Sequence, residues 1–169
     1  MIYLFDSYYT KGFVTTACIG ITEWRSEDVE FEKINHSEIT SEYVSGQFYR
    51  RELPRILELL KGVKLKNNDF VVIDGYVYLD DLETKGLGGY LFEKLGNSIP
   101  VIGVAKNRYK SIGENCIELL RGKSRKPLYI TSAGIKVVEA SEKILSMRGE
   151  FRIPKMLKAV DTMSRKEAK

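Results

Sequence analysis

Four consecutive apolar residues, Phe70-Val-Val-Ile73, lie between the polar Asn67-Asn-Asp69 and the dipeptide Asp74-Gly75. Nothing in this run alternates, so it predicts a strand covered on both faces, and such a strand needs a sheet with layers above and below it. Asp74 then stands where the chain leaves the sheet, and ligands of open α/β sheets gather beyond the carboxyl ends of such strands. A lone Asp-Gly can equally do no more than open an Asx-turn. What gives Asp74 weight is the presence of other acids that the fold can bring to it.

The N-terminal run Ile2-Tyr-Leu-Phe5 predicts a second strand with no wet face, interrupted by Asp6. A charge in a central strand is costly unless paired or bound to a cation, so Asp6 requires a partner. After the Lys11-Gly12 turn, Phe13–Ile21 predicts a strand hairpin-paired to the first, and Asp28–Lys33 predicts a third, half-exposed one. Residues 37–47 read as a loop and residues 48–52 as a short helical turn. Pro54 then opens a separate helix over 55–60, closed by Gly62. Beyond Asp74 come a helix over 86–95 carrying paired glycines, and a strand from Pro100 to Ala105 parallel to the one before. Two further strands flank the basic turn Arg121–Lys126. A helix over 136–147 and one after Pro154 follow, with a frayed charged tail from Ser164. The paired glycines, each costing ~1 kcal/mol of helix propensity, predict close approach by a backbone or a ligand. The pattern predicts one domain over residues 1–169: an α/β fold with a mixed central β-sheet flanked by helices on both faces. The first and fourth strands should lie side by side, bringing Asp6 to Asp74.

Such a domain is consistent with 169 residues, 43% of them hydrophobic and 30% charged. No run approaches the ~20 apolar residues of a membrane span, which predicts a soluble, cytoplasmic protein, and a monomer is expected. Cys18 and Cys116 sit in apolar, strand-like sequence and read as reduced core thiols. A formal charge of +4 permits a nucleic-acid partner without requiring one. Asp6, Asp74 and Glu52 could together form an all-oxygen cluster suited to Mg²⁺ or Mn²⁺. Left without a cation, three such carboxylates would repel until one protonates.

Several segments carry a resemblance. Tyr43-Val-Ser-Gly46 followed by Arg51-Glu52 is similar to Tyr-Ile-Pro-Gly…Phe-Arg-Glu, and Val72-Ile-Asp-Gly75 to Val-Asp-Gly. Gly86-Leu87 is similar to the start of Gly-Leu-Ala-Ser-His, and Pro100-Val-Ile-Gly-Val-Ala-Lys106 to Pro-Thr-Ile-Gly-Val-Ala-Lys. Pro127–Gly134 resembles Pro-Leu-Phe-Val-Ser-Pro-Gly, and Phe151-Arg-Ile-Pro154 resembles Tyr-Arg-Leu-Pro. In this order, from Leu4 to about Pro154, they resemble the endonuclease V family, whose fold is ribonuclease-H-like.

The resemblance implies Mg²⁺-dependent phosphodiester hydrolysis of DNA or RNA near deaminated, inosine-like bases, with Mn²⁺ able to substitute, in nucleic-acid repair or inosine processing. It assigns Asp6, Glu52 and Asp74 as catalytic metal ligands and Lys106 as a contact to the scissile phosphate. It places Tyr43, Gly46, Arg51, Gly75 and Gly86 on the nucleic-acid side, and Arg108 joins them as a phosphate contact; Tyr43 would stack on a base. The departures bear on activity. Ile135 stands where the family has a site histidine, Asp80 near another, and Tyr90 in place of a third. Glu42-Tyr-Val-Ser45 lacks both prolines of the family's wedge. The missing histidine at Ile135 predicts slow cleavage favouring Mn²⁺, with Asp80 or Asp81 as candidates to compensate. The alternatives are a catalytically weak or inactive nucleic-acid-binding relative, and a hydrolase of small nucleotides.

Overall fold

The computed structural model describes residues 1–39 and 49–166. Seven strands form one mixed sheet in the order β3-β2-β1-β4-β5-β7-β6. They are β1 (Ile2–Thr10), β2 (Phe13–Ile21), β3 (Phe31–Glu38), β4 (Phe70–Asp74), β5 (Val101–Ala105), β6 (Ile117–Leu119) and β7 (Leu128–Ala133). The helices are α1 (Tyr49–Leu60), α2 (Leu87–Lys94), α3 (Val137–Ser146) and α4 (Lys155–Lys166). As expected, β1, β2 and β3 are an antiparallel meander, and β4 joins β1 and β5 in parallel. This is the ribonuclease-H-like α/β order.

Each sheet face has its own apolar layer. Ile2, Leu4, Val72, Ile102 and Val104 pack with Ala140 and Ile144 of α3 and with Met156 and Val160 of α4. Tyr3, Phe5, Val71, Ile73 and Val101 pack with Leu53, Ile56 and Leu59 of α1 and with Leu87 and Leu91 of α2. Burying one such side chain contributes roughly 1.5–3 kcal/mol, which explains why the central strands tolerate no wet face. Side chains alternate between faces, so Asp6 continues the Ile2-Leu4 row and Asp74 follows Val72. Because Phe5 pairs with Ile73, the next residues on each strand are Asp6 and Asp74. Lys106 follows Val104 by the same parity. All three side chains therefore leave the sheet on the α4 side, at one end of neighbouring strands.

Three expectations need correction. The third strand runs Phe31–Glu38 rather than 28–33, because its half-buried positions include Lys33, Asn35 and Ser37, which an apolar alternation misses. His36 is therefore on this strand, exposed, with Nδ1 2.8 Å from the Thr15 hydroxyl. Residues 49–60 form one helix with Pro54 inside it, at the cost of one backbone bond. Finally, Ser164 begins no frayed tail: it is fully buried within α4.

The paired glycines of α2 serve a backbone. A Cβ on Gly88 would meet Val77 Cγ2 at 2.6 Å, and one on Gly89 would meet the Val77 carbonyl oxygen at 2.8 Å. α2 thus lies directly against the turn that follows Asp74. Cys18 is buried and Cys116 half-buried, both as free thiols. Among the described residues, no helix is long and apolar enough to cross a membrane.

Candidate active site

α1 presents Glu52, Leu53, Ile56, Leu59 and Leu60 to the sheet, so Glu52 lies on an apolar stripe and retains only 6% of its accessible surface. It reaches the end of the sheet from the face opposite α4. There a cavity of about 350 Å³ is lined by Asp6, Glu52, Asp74, Gly75 and Lys106, with Phe5, Ile56, Ile73 and Leu87 as an apolar wall. Three carboxylates and a lysine, drawn from β1, α1, β4 and the end of β5, thus face one space.

Their electrostatics are strained. Burial, together with the charges of Asp74 and Asp6, pushes the Glu52 carboxyl well above its ordinary value, against a hydrogen bond from the Tyr9 hydroxyl at 3.3 Å. Burial likewise raises Asp6 to about 6, opposed by the Ser164 hydroxyl, which donates to Asp6 Oδ2 at 2.5 Å, and reinforced by the Asp74 charge. Lys106 Nζ lies 2.7 Å from Asp74 Oδ2 and 3.8 Å from Asp161 Oδ1. Burial works to lower the Lys106 pKa, yet the hydrogen bond and charge of Asp74, with the Asp6 and Asp161 charges, raise it.

The turn beyond Asp74 is held from several sides. The Tyr76 hydroxyl donates to the Asn107 carbonyl at 2.7 Å and accepts the Tyr109 N–H at 3.0 Å, tying this turn to the segment after Lys106. The Val77 N–H donates to Thr131 Oγ1 at 2.8 Å. Gly86 packs on the same turn, where a Cβ would stand 2.5 Å from the Tyr76 carbonyl oxygen. Arg51 is on α1, beside Glu52. Arg108 does not line the cavity and pairs with Glu118. Tyr43 and Gly46 lie outside the described residues. Asp80 and Asp81 are engaged elsewhere: Asp80 Oδ1 accepts the N–H groups of Leu82 and Thr84, and Asp81 Oδ1 accepts that of Asn115. Ile135 packs into the apolar layer under α3 and α4 and does not line the cavity.

An endonuclease V family model matches residues 4–119, more than half of the sequence. The chain belongs to the endonuclease V family. Human endonuclease V has a solved structure that is 20% identical, with a TM-score of 0.78, covering 98% of this chain and 83% of that one. The Ciona intestinalis endonuclease V, solved with a 24mer DNA containing an inosine followed by a ribo-adenosine, is 18% identical at a TM-score of 0.80, covering 99% and 85%. A Bacillus subtilis endonuclease V gives 20%, 0.76, 99% and 79%. No curated protein sequence matches the chain. At these identities the structures show the shared fold, and they extend it past residue 119 through α4.

Sequence reasoning about this endonuclease V relative missed Asp161 and Ser164. On α4, Met156, Val160, Asp161 and Ser164 are buried together. The signal was available, since Met156, Val160 and Ser164 repeat every four residues and carry Asp161 inward beside them. Burial opposes ionisation of Asp161, but hydrogen bonds from Lys158 and Arg165 hold its carboxyl below the ordinary value. The chemistry of Asp6, Glu52 and Asp74 suits a hard divalent ion: their oxygens repel one another, and a cation would neutralise them. The geometry is not preset. Among the described residues, no group of three or more His, Cys, Asp or Glu side chains is arranged to hold a metal ion, and the Lys106 ammonium rests on Asp74.

Proposed function

We propose that this chain is a metal-dependent endonuclease that hydrolyses phosphodiester bonds of DNA or RNA near deaminated, inosine-like bases. The observation that carries the reading is the convergence of Asp6, Glu52, Asp74 and Lys106 on one cavity in an endonuclease V family fold. The inosine-containing DNA bound by the Ciona relative supports the choice of substrate. Asp6, Glu52 and Asp74 would hold Mg²⁺, with Mn²⁺ able to substitute. Such an ion supplies Lewis-acid stabilisation of the charge that builds on phosphate oxygens and makes attacking water more acidic. Lys106, once released from Asp74, donates to a non-bridging phosphate oxygen. The wall of Phe5, Ile56, Ile73 and Leu87 removes water from one side of the buried Asp6 and Glu52, while Asp74 and Lys106 stay open to a substrate.

The test is incubation with Mg²⁺ or Mn²⁺ and end-labelled strands bearing inosine, uracil or a mismatch, as DNA and as RNA. Cleavage should centre on inosine strands, and Asp74→Asn should reduce it by about a hundredfold or more, because an anionic ligand is lost while shape is kept. Equal cleavage by this variant would overturn the reading. The Lys106–Asp74 contact favours a second reading, a catalytically weak nucleic-acid-binding relative, which predicts tight strand binding with no cut at either metal.

A further inference from the structure

Phe151 is 72% exposed, yet the backbone of the loop that carries it is held by several side-chain hydrogen bonds. The Arg121 guanidinium is buried and donates to the carbonyls of Met147 and Phe151 at 2.6 and 2.8 Å, and to those of Gly149 and Arg152 at 3.3 and 3.4 Å. Arg152 donates to the Pro127 carbonyl at 2.6 Å and to that of Lys106. Two arginines thus hold the backbone around a large apolar side chain that faces water and that the core does not use. The basic turn predicted from sequence lies against it: a Cβ on Gly122 would stand 2.2 Å from the Glu150 carbonyl oxygen. On that turn Lys123, Arg125 and Lys126 are exposed, and among the described residues none has an acidic partner.

We propose that Phe151 and the turn Arg121–Lys126 form a second strand-binding surface, on which a base of single-stranded nucleic acid stacks on the ring while Lys123, Arg125 and Lys126 take its phosphates. The proposal rests on the nuclease reading for its kind of partner. Aromatic faces beside unpaired cations suit a nucleic-acid strand better than an apolar protein surface, since every base offers a π-face and every linkage an anion. The location also fits. A groove of about 660 Å³ runs from Gly149 to Lys158 past Phe151. Ile153 borders both this groove and a smaller cavity shared with Asp6, Asp74 and Lys106. Lys158, on the groove, bonds Asp161 Oδ2 at 2.7 Å, next to Lys106. Within the groove Glu150 is the one acid beside Arg152, Lys155 and Lys158. Arg152 is bonded to carbonyls, Lys155 is paired to Glu27 and Lys158 to Asp161, so among the described residues the cations left without such partners are Lys123, Arg125 and Lys126 of the adjoining turn. Ile153 thus links the groove that holds the ring to the end of the sheet where Asp6, Asp74 and Lys106 stand.

The experiment is fluorescence anisotropy without divalent metal, using single strands of about five and about twenty nucleotides, in DNA and RNA arms. The wild type should bind the longer strand more tightly. Phe151→Ala should weaken that binding by about ten- to a hundredfold at an unchanged melting temperature, whereas Phe151→Trp, with its larger π-face, should retain it. Replacing Lys123, Arg125 and Lys126 together by Ala should lower the salt dependence of binding by about three phosphate contacts. Wild-type affinity in Phe151→Ala, or no effect of strand length, would overturn the proposal and leave nuclease activity untouched as a question. Loss of cleavage in Asp74→Asn with Phe151-dependent binding retained would sustain it independently.

Discussion

Glu52 occupies an apolar position of α1 because its helix places it there, and ionising it against Asp6 and Asp74 opposes the fold. Asp6 and Glu52 are both raised above their unfolded values, so the folded protein binds protons more readily than the unfolded chain. The resulting stability is fully present below about pH 4 and is lost as pH rises through the folded values, about 6 for Asp6. The metal-free protein should therefore melt at progressively lower temperature from about pH 4 to 7, with the loss shrinking in Glu52→Gln. A flat profile that the variant leaves unchanged would contradict this. Gly103 sets a steric limit on the same site. A Cβ there would stand 2.5 Å from the Gly75 carbonyl oxygen and 2.9 Å from Val77 N, so Gly103→Ala must displace the turn beyond Asp74. A cost of about 1–3 kcal/mol is expected in denaturant melts, together with weaker metal binding.

Among the elements, α4 contributes most that was unexpected. The Ser164 hydroxyl lies 2.5 Å from Asp6 Oδ2 and 2.9 Å from the Asp161 carbonyl oxygen, so α4 supports the acid cavity from beneath. Ser164→Ala should destabilise the fold by about 1–3 kcal/mol and raise the Asp6 pKa further, read by carboxyl chemical shifts. An unaltered Asp6 titration would show that the contact is incidental. The central strands were legible because Phe70–Ile73 and Ile2–Phe5 are unbroken apolar runs, and their register follows from pairing such runs in parallel. Asp6 and Asp74 followed from the same logic, being the first polar residues after each run. Asp161 did not, because the charged residues from Arg165 onward outweighed a stripe of four-residue spacing. β3 was misplaced for a related reason: its inner face is polar, and pattern reading weighs only apolar side chains. The engagement of Asp80 and Asp81 in loop hydrogen bonds was equally hidden, since their partners lie in turns that periodicity does not reach.

At the scale of the whole molecule, the proposed cation would link folding to its own binding, because the acids that would hold it repel one another without it. Mn²⁺ at about a hundred times its dissociation constant should stabilise the protein by ~2.7 kcal/mol, and Asp74→Asn should abolish most of that gain in thermal melts. A metal-induced shift of equal size in the variant would place the cation elsewhere. The order of the elements along the chain adds a clock. Asp6 and Ser164 are 158 residues apart, and Asp161 is almost as distant. At synthesis rates of roughly 5–20 residues per second, Asp6 waits on the order of ten seconds for the hydroxyl that supports it. Until then a growing chain can pair β1 with β2 and β4 but lacks α4, so the acid cavity is open on one side. A chain stalled on the ribosome before residue 155 should show the meander's protease resistance without high-affinity Mn²⁺ uptake. The hydroxyl that supports Asp6 would then be acquired only once α4 has been made and has closed on β1.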